Sequence, residues 1–253
     1  MPDLSVIAWL VLGLAATFAG FSKTAIGGAG VVAAALAALV LPARASSGTI
    51  LPLLICGDVV AVAIYRRAAN WRLILRLMPW VLGGIGLGVV FLDRVRSNRA
   101  MRVSIGVMIV IVLVAHGVVG AWLKQRLAAD VGRVTPTQRL AAALVGVGVG
   151  FATMVANSAG AIVTVYLLLS GVTMLEFLGT GAWFFLIVNL VKLPFSLRLG
   201  LMDADSLRLD LVLLPGLALG AVLGVALIRR IEPRYFERIA LGMAAVSAVF
   251  LLS

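Results

Sequence analysis

Apolar runs leave this chain almost no choice of structural class. They fall near 4–21, 31–41, 48–65, 77–92, 103–123, 140–152, 159–172, 177–197, 211–228 and 238–252. Several reach the ~20 residues that an α-helix needs to cross a bilayer. The runs 31–41, 140–152 and 159–172 fall short. Backbone inside hydrocarbon must satisfy its own hydrogen bonds, so long apolar runs predict spanning helices. Hydrophobic types make up 63% of the residues and charged types 12%, against about half and a quarter in soluble domains. The longest polar stretch, near 124–139, is too short to fold separately. One membrane domain is expected.

The formal net charge is +11, a balance that elsewhere suggests nucleic acid. Here the arginines gather at the ends of apolar runs: Arg66, Arg67, Arg72 and Arg76; Arg94, Arg96, Arg99 and Arg102; Arg229, Arg230, Arg234 and Arg238. Membrane helices are flanked and oriented in this way, and no aromatic platform for bases is interleaved. No nucleic-acid partner is expected. Cys56 is the single cysteine, so no intramolecular disulfide can form. The N-terminus has Asp3 in place of a basic region, so no cleaved signal peptide is read there.

The short runs flank two polar breaks, GFSKTAIGGAG at 20–30 and GFATMVANSAG at 150–160. The breaks align at an offset of 130, matching Gly20 with Gly150, Phe21 with Phe151, Ala29 with Ala159 and Gly30 with Gly160. Further on the offset is 136, matching Pro79, Gly84, Gly88 and Arg94 with Pro215, Gly220, Gly224 and Arg230. The order of elements repeats as well. The chain therefore reads as an N-terminal repeat at 1–123, a cytoplasmic linker at 124–137 and a C-terminal repeat at 138–253.

Charge suggests that the halves are inverted. The connector 65–77 carries four arginines and no acid, whereas 197–211 sets Arg198 and Arg208 against Asp203, Asp205 and Asp210. Placing the first inside and the second outside satisfies the positive-inside rule. The linker (Lys124, Arg126, Arg133, Arg139) and the 229–238 loop then lie inside and both termini outside; only the basic loop 93–102 disobeys. The fold expected is an all-α polytopic membrane protein of two inverted repeats. Each repeat has a broken or re-entrant helix element plus three transmembrane helices, giving 8–10 membrane segments. A broken element could be a hairpin of half-helices or two short spans.

Unpaired backbone at membrane depth is tolerated where it is buried in protein or lines a wet cavity. A helix that restarts there points free N–H groups and its positive dipole end into that cavity. Two such N-termini meeting at a repeat interface form a recurring anion site in secondary transporters. The first restart falls near Gly27 to Gly30, with Ser22, Lys23 and Thr24 beside it. In the second, Asn157 and Ser158 precede Ala159 and Gly160 and are the expected N-cap types. The bland alternative is that these small residues merely let helices pack tightly.

Two of the three lysines, Lys23 and Lys192, lie inside apolar segments. An ionisable group at a helix centre costs roughly 2.5–3.5 kcal/mol on insertion scales, so it has a role or a partner by default. Lys23 is read as a substrate or gating cation, with an interfacial lysine snorkelling from a long loop as the alternative. For Lys192, nearer its run's end, snorkelling and function weigh equally; Asn189, one turn earlier, shares its face. Asp58 is the best internal acid, pairing with Lys23 or Lys192 or carrying a coupling proton, with pairing slightly favoured. In the register of the repeat it falls opposite Asn189. Tyr166, Trp183 and His116 are read as packing or interface residues.

Signatures of enzymes are missing: no GxSxG, no HExxH, no P-loop, and one His with one Cys cannot build a zinc site. No enzyme, cofactor or metal is expected, and gradients must drive any active transport.

At GFSKTAIGGAGVVAAALAALVLP, LPLLICGDVVAVAIYRR, MVANSAGAIVTVYLLLSG and EFLGTGAWFFLIVNLVKLPFS the chain resembles the TauE/SafE family of sulfite exporters, also called the toluene sulfonate uptake permease family. The pieces cover both halves. The resemblance implies two repeated halves and transport of sulfite, sulfoacetate or other sulfonates. It departs from the family's glycine runs followed by proline: the first break has GGAG with Ala35 or Ala37 at the proline place, and the second has NSAG.

The expectation is a multi-pass secondary transporter of the bacterial inner membrane, with both termini periplasmic, moving a small anion with a coupling proton or sodium. Substrate contacts are expected from Ser22, Lys23, Thr24, Gly27, Gly28, Ala29, Asn157, Ser158, Gly160, Asn189 and Lys192, with Asp58 as proton carrier or counter-charge. A passive anion channel, or a membrane-protein assembly factor, would share the fold.

Overall fold

The computed structural model describes residues 4–25, 29–41, 47–95, 136–232, 235 and 239. Gly27, Gly28, His116 and most of the linker lie outside the described residues. Among those described the chain is helical throughout. The helices are α1 (Val6–Thr24), α2 (Gly30–Val40), α3 (Leu51–Tyr65), α4 (Trp71–Arg94), α5 (Pro136–Ala156), α6 (Gly160–Leu169), α7 (Met174–Arg198) and α8 (Ala204–Ile228), with a 3₁₀ turn at Arg66–Ala68 after α3. Among the described residues five segments are long and apolar enough to span a bilayer: α1, Ser47–Ala68 containing α3, α4, α7 and α8. In α5 the shorter stretch Ala142–Ala156 is apolar.

Local chemistry sets the ends. Ser5 accepts a hydrogen bond from Ala8 N–H at 3.2 Å to start α1. Capping boxes start α7, between Thr173 and Glu176, and α8, between Asp203 and Ser206. Because Asp203 caps α8, Asp205 and Asp210 belong to the helix. The acids read from the sequence as one connector at 197–211 are therefore divided between a loop end and a helix interior. Likewise α4 begins at Trp71, so Arg72 and Arg76 are helical, and α5 begins at Pro136, inside the stretch read as linker.

Each broken element is a long helix followed by a half-length one. α1 has 19 residues and α2 has 11; α5 has 21 and α6 has 10. At 1.5 Å per residue the short helices reach only about half of a ~30 Å core.

The long helices pair across the halves. α1 packs on α8, and α4 on α5. Both seams are glycine contacts close enough that backbones touch. A Cβ on Gly20 would strike the Leu217 carbonyl and Ala221 N, and one on Gly220 the Thr17 carbonyl and Phe21 N. In the other seam a Cβ on Gly150 would strike the Val81 carbonyl and Ile85 N, and one on Gly84 the Val147 carbonyl and Phe151 N. Adding 130 to the α1 residues and subtracting 136 from the α8 residues converts the first set into the second.

The core divides accordingly. One apolar cluster joins Leu12, Ala16, Ala33, Ala37, Leu53, Leu209 and Leu213, from α1, α2, α3 and α8. The other is dominated by α4, α5, α6 and α7, with Ile74, Val81, Val149, Val163 and Phe184. Among the described helices, one body thus joins α1, α2 and α3 to α8 from late in the chain, and the other joins α5, α6 and α7 to the earlier α4. The bodies meet where α3 crosses α7 in opposite directions, Asp58 facing Asn189 and Tyr65 facing Gly179. Outer faces stay apolar, with Val6, Ile7, Leu10, Leu75, Leu87, Leu211, Val222 and others exposed. Lipid is the solvent such faces require.

Candidate functional site

The place where the bodies meet is polar. Asp58, in the middle of α3, is fully buried, and its Oδ1 lies 2.7 Å from Lys23 Nζ near the end of α1. Its Oδ2 accepts from Asn189 Nδ2 of α7 at 2.6 Å. That bond turns the Asn189 amide oxygen toward Lys192, which donates to it at 3.3 Å. Lys192 Nζ also donates to Thr153 Oγ1 of α5 at 3.2 Å and to Asn157 Oδ1 just past the end of that helix. Asn157 is itself oriented, because its Nδ2 donates to the Ser47 carbonyl at 2.7 Å. An ammonium has three N–H donors, and Lys192 meets three side-chain oxygens. The network therefore joins α1 and α3 of one body to α5 and α7 of the other.

It borders a cavity of about 50 Å³. At ~10–15 Å³ per water this holds a few waters or one small anion. Ser22, Lys23, Asp58, Thr153, Asn157 and Asn189 line it, with Gly30 and Gly160, the first residues of the two half-length helices. Neither helix has a side-chain N-cap. First-turn N–H groups have no intrahelical partner, and Gly30 and Gly160 bring both first turns to this cavity. Thr164 Oγ1, buried and without a hydrogen-bond partner, lies on the same wall.

Several sequence expectations change in detail. Asn157 does not cap the restarting helix; it ends α5 in the left-handed region (φ 52°), its N–H bonded to the Thr153 carbonyl. An αL residue after the last helical turn is a C-terminal stop, and Asn tolerates it better than most. The actual N-cap positions, Ala29 and Ala159, carry no polar side chain and are buried. Ser158 turns its hydroxyl back to the Ala152 carbonyl at 3.5 Å. The Thr24 hydroxyl faces α8, donating to the Ala221 carbonyl at 2.9 Å, away from the cavity.

Neither lysine snorkels. Lys192 is 1% exposed and sits behind the cavity wall, held by three lining side chains. Lys23 is 11% exposed and lies 4.8 Å from the Phe185 ring centroid, a cation–π contact. Asp58 pairs with Lys23 directly and reaches Lys192 only through Asn189. Tyr166 packs in the larger cluster, and the Trp183 indole donates to the Arg66 carbonyl at 3.3 Å. Thr153, Thr164 and Phe185 were not singled out in the sequence. Only Thr153 left a signal there, one helical turn before Asn157.

The family model for sulfite exporter TauE/SafE matches residues 12–251, nearly the whole chain. The chain belongs to the TauE/SafE family. TauE/SafE proteins are membrane transporters, so the paired breaks and the buried lysines sit in a polytopic membrane protein of a transport family. No curated protein and no solved structure matches the chain significantly.

Proposed function

We propose that this TauE/SafE protein is a secondary transporter that moves a small organic or sulfur-containing anion, such as sulfite, sulfoacetate or another sulfonate, across the inner membrane. The observation that carries the reading is the composition of the buried network: two lysines against one aspartate beside a cavity that the starts of two helices without side-chain caps also line. With both lysines protonated, one cationic charge is left over where burial makes an uncompensated ion costly. An anion in the cavity supplies the counter-charge, and the N–H groups of two first turns add donors.

Transport follows if the bodies rock about the crossing of α3 and α7. The bound anion then faces one side or the other while the two glycine seams hold each body together. Three features support an inverted relation between the halves. α1, α3 and α8 contact one another in parallel register, α4 and α5 do likewise, and α3 opposes α7.

The test is flux of sulfite and sulfoacetate into proteoliposomes, with and without an imposed ion gradient. Saturable uptake that becomes concentrative under a gradient is expected. Purely downhill flux makes the protein a channel or uniporter, and absence of flux for both anions removes the reading.

A further inference from the structure

One buried acid plays no part in the network. Asp210 lies in α8, 5% exposed, against the start of α3. Its Oδ2 accepts from Leu53 N–H at 3.3 Å, and its Oδ1 has no hydrogen-bond partner. The surroundings are apolar: Leu53, Leu54, Leu209 and Leu213 belong to the same cluster. Among the described residues the charged and titratable groups of the elements packed here are few. α3 offers the Cys56 thiol within electrostatic reach, and Asp58, already bonded to Lys23 and Asn189. α1 offers only Lys23, held at its far end by Asp58. α2 has no ionisable residue. On α8 itself Arg208 turns to Asp205 at 3.2 Å, both more than half exposed, and Asp203 is used as the N-cap.

Among the described residues Asp210 therefore has one N–H donor, no cation and an unbonded oxygen inside an apolar wall. A buried carboxylate needs a cation or several donors, and this one has neither. A structural clamp for Leu53 N–H needs only an acceptor oxygen, which a neutral side chain would supply at less cost. Position adds the second argument. Asp210 is two turns inside α8, about 10 Å from its capped end. Along α3, Leu53 precedes Asp58 by about a turn and a half. The acid thus stands between the α8 end of the protein and the charge network.

We propose that Asp210 carries the coupling proton: its free oxygen binds H⁺ from water on the α8 N-terminal side and releases it as the bodies rock. The inference rests on the anion-transport reading. A proton on Asp210 and a monovalent anion at the network add no net charge to the buried interior, so they are taken up together at the lowest electrostatic cost. Asp58 is then the fixed counter-charge of Lys23.

The experiment compares wild type and Asp210→Asn in proteoliposomes, measuring counterflow of labelled sulfite and its accumulation under an imposed pH gradient. The amide keeps an acceptor for Leu53 N–H, so a purely structural role predicts no change. The expected result is that counterflow survives while accumulation is lost and pH dependence flattens. Accumulation equal to wild type overturns the proposal. Wild-type counterflow that no pH gradient can drive overturns it while leaving the anion carrier standing; wild type without flux removes both.

Infrared spectroscopy gives a readout apart from transport. A protonated-carboxyl band that responds to pH should persist in Asp58→Asn and vanish in Asp210→Asn. If Asp210→Asn does not fold, Asp210→Glu replaces it: the band must then shift in frequency, and an unmoved band overturns the assignment.

Discussion

Lys23 and Asp58 exchange a proton donor and acceptor in a place where neither can reach bulk water easily, so each is the other's main support. Removing one partner of a buried pair leaves an unpaired charge and costs about 3–5 kcal/mol. Lys23→Met and Asp58→Asn should each lower thermal stability in detergent by that order, and the double variant should recover part of the loss. Additive losses would show that the pair is not coupled. Lys192→Met removes the leftover cation, and loss of a charged hydrogen-bonding group typically costs about 1.5–3 kcal/mol. Anion affinity, read from anion-dependent thermal shifts, should therefore fall roughly ten- to hundredfold. Unchanged affinity would remove Lys192 from the site. The composition of this site was legible in the sequence because ions inside apolar runs are conspicuous. Its partners were less so. Lys192 looked close to a helix end, yet α7 runs on to Arg198 and the packed face decides burial. Asp210 read as a loop charge because the capping box that starts α8 two turns before it became visible only in three dimensions.

The seams are where elements meet most closely, and they separate glycines that matter from glycines that do not. Gly20, Gly84, Gly150 and Gly220 face backbone of the opposite helix. A methyl group there must push the helices apart, at about 1–3 kcal/mol for overpacking or more. Gly13, Gly83, Gly86 and Gly148 face open space. Alanine at these positions should be neutral or stabilise by up to ~1 kcal/mol through helix propensity. Unfolding of the two sets of single Gly→Ala variants in detergent makes the comparison, and equal effects would discount the seams. The repeat offsets of 130 and 136 predicted which glycines correspond, but not which helices they join. Small residues announce a close approach without naming the partner, and here the partner comes from the other half of the chain.

At the scale of the molecule, the joining of each body from both halves makes a covalent connection between them less important than their contact. A chain cut within the 124–135 connector should still assemble when both pieces are made together, with sulfite flux as the readout. Either piece alone should fail to accumulate in the membrane. Flux from one piece would show that a single half suffices. The all-helical membrane class was legible from the apolar runs, and the two half-length helices from the polar breaks. The exchange of α4 and α8 was not, because hydrophobic pattern reports that a face is buried and is silent about what buries it. That exchange also bears on how the chain is made. α1 leaves the ribosome long before the α8 it packs against, so its glycine face waits unmatched until nearly all the described residues have been synthesised.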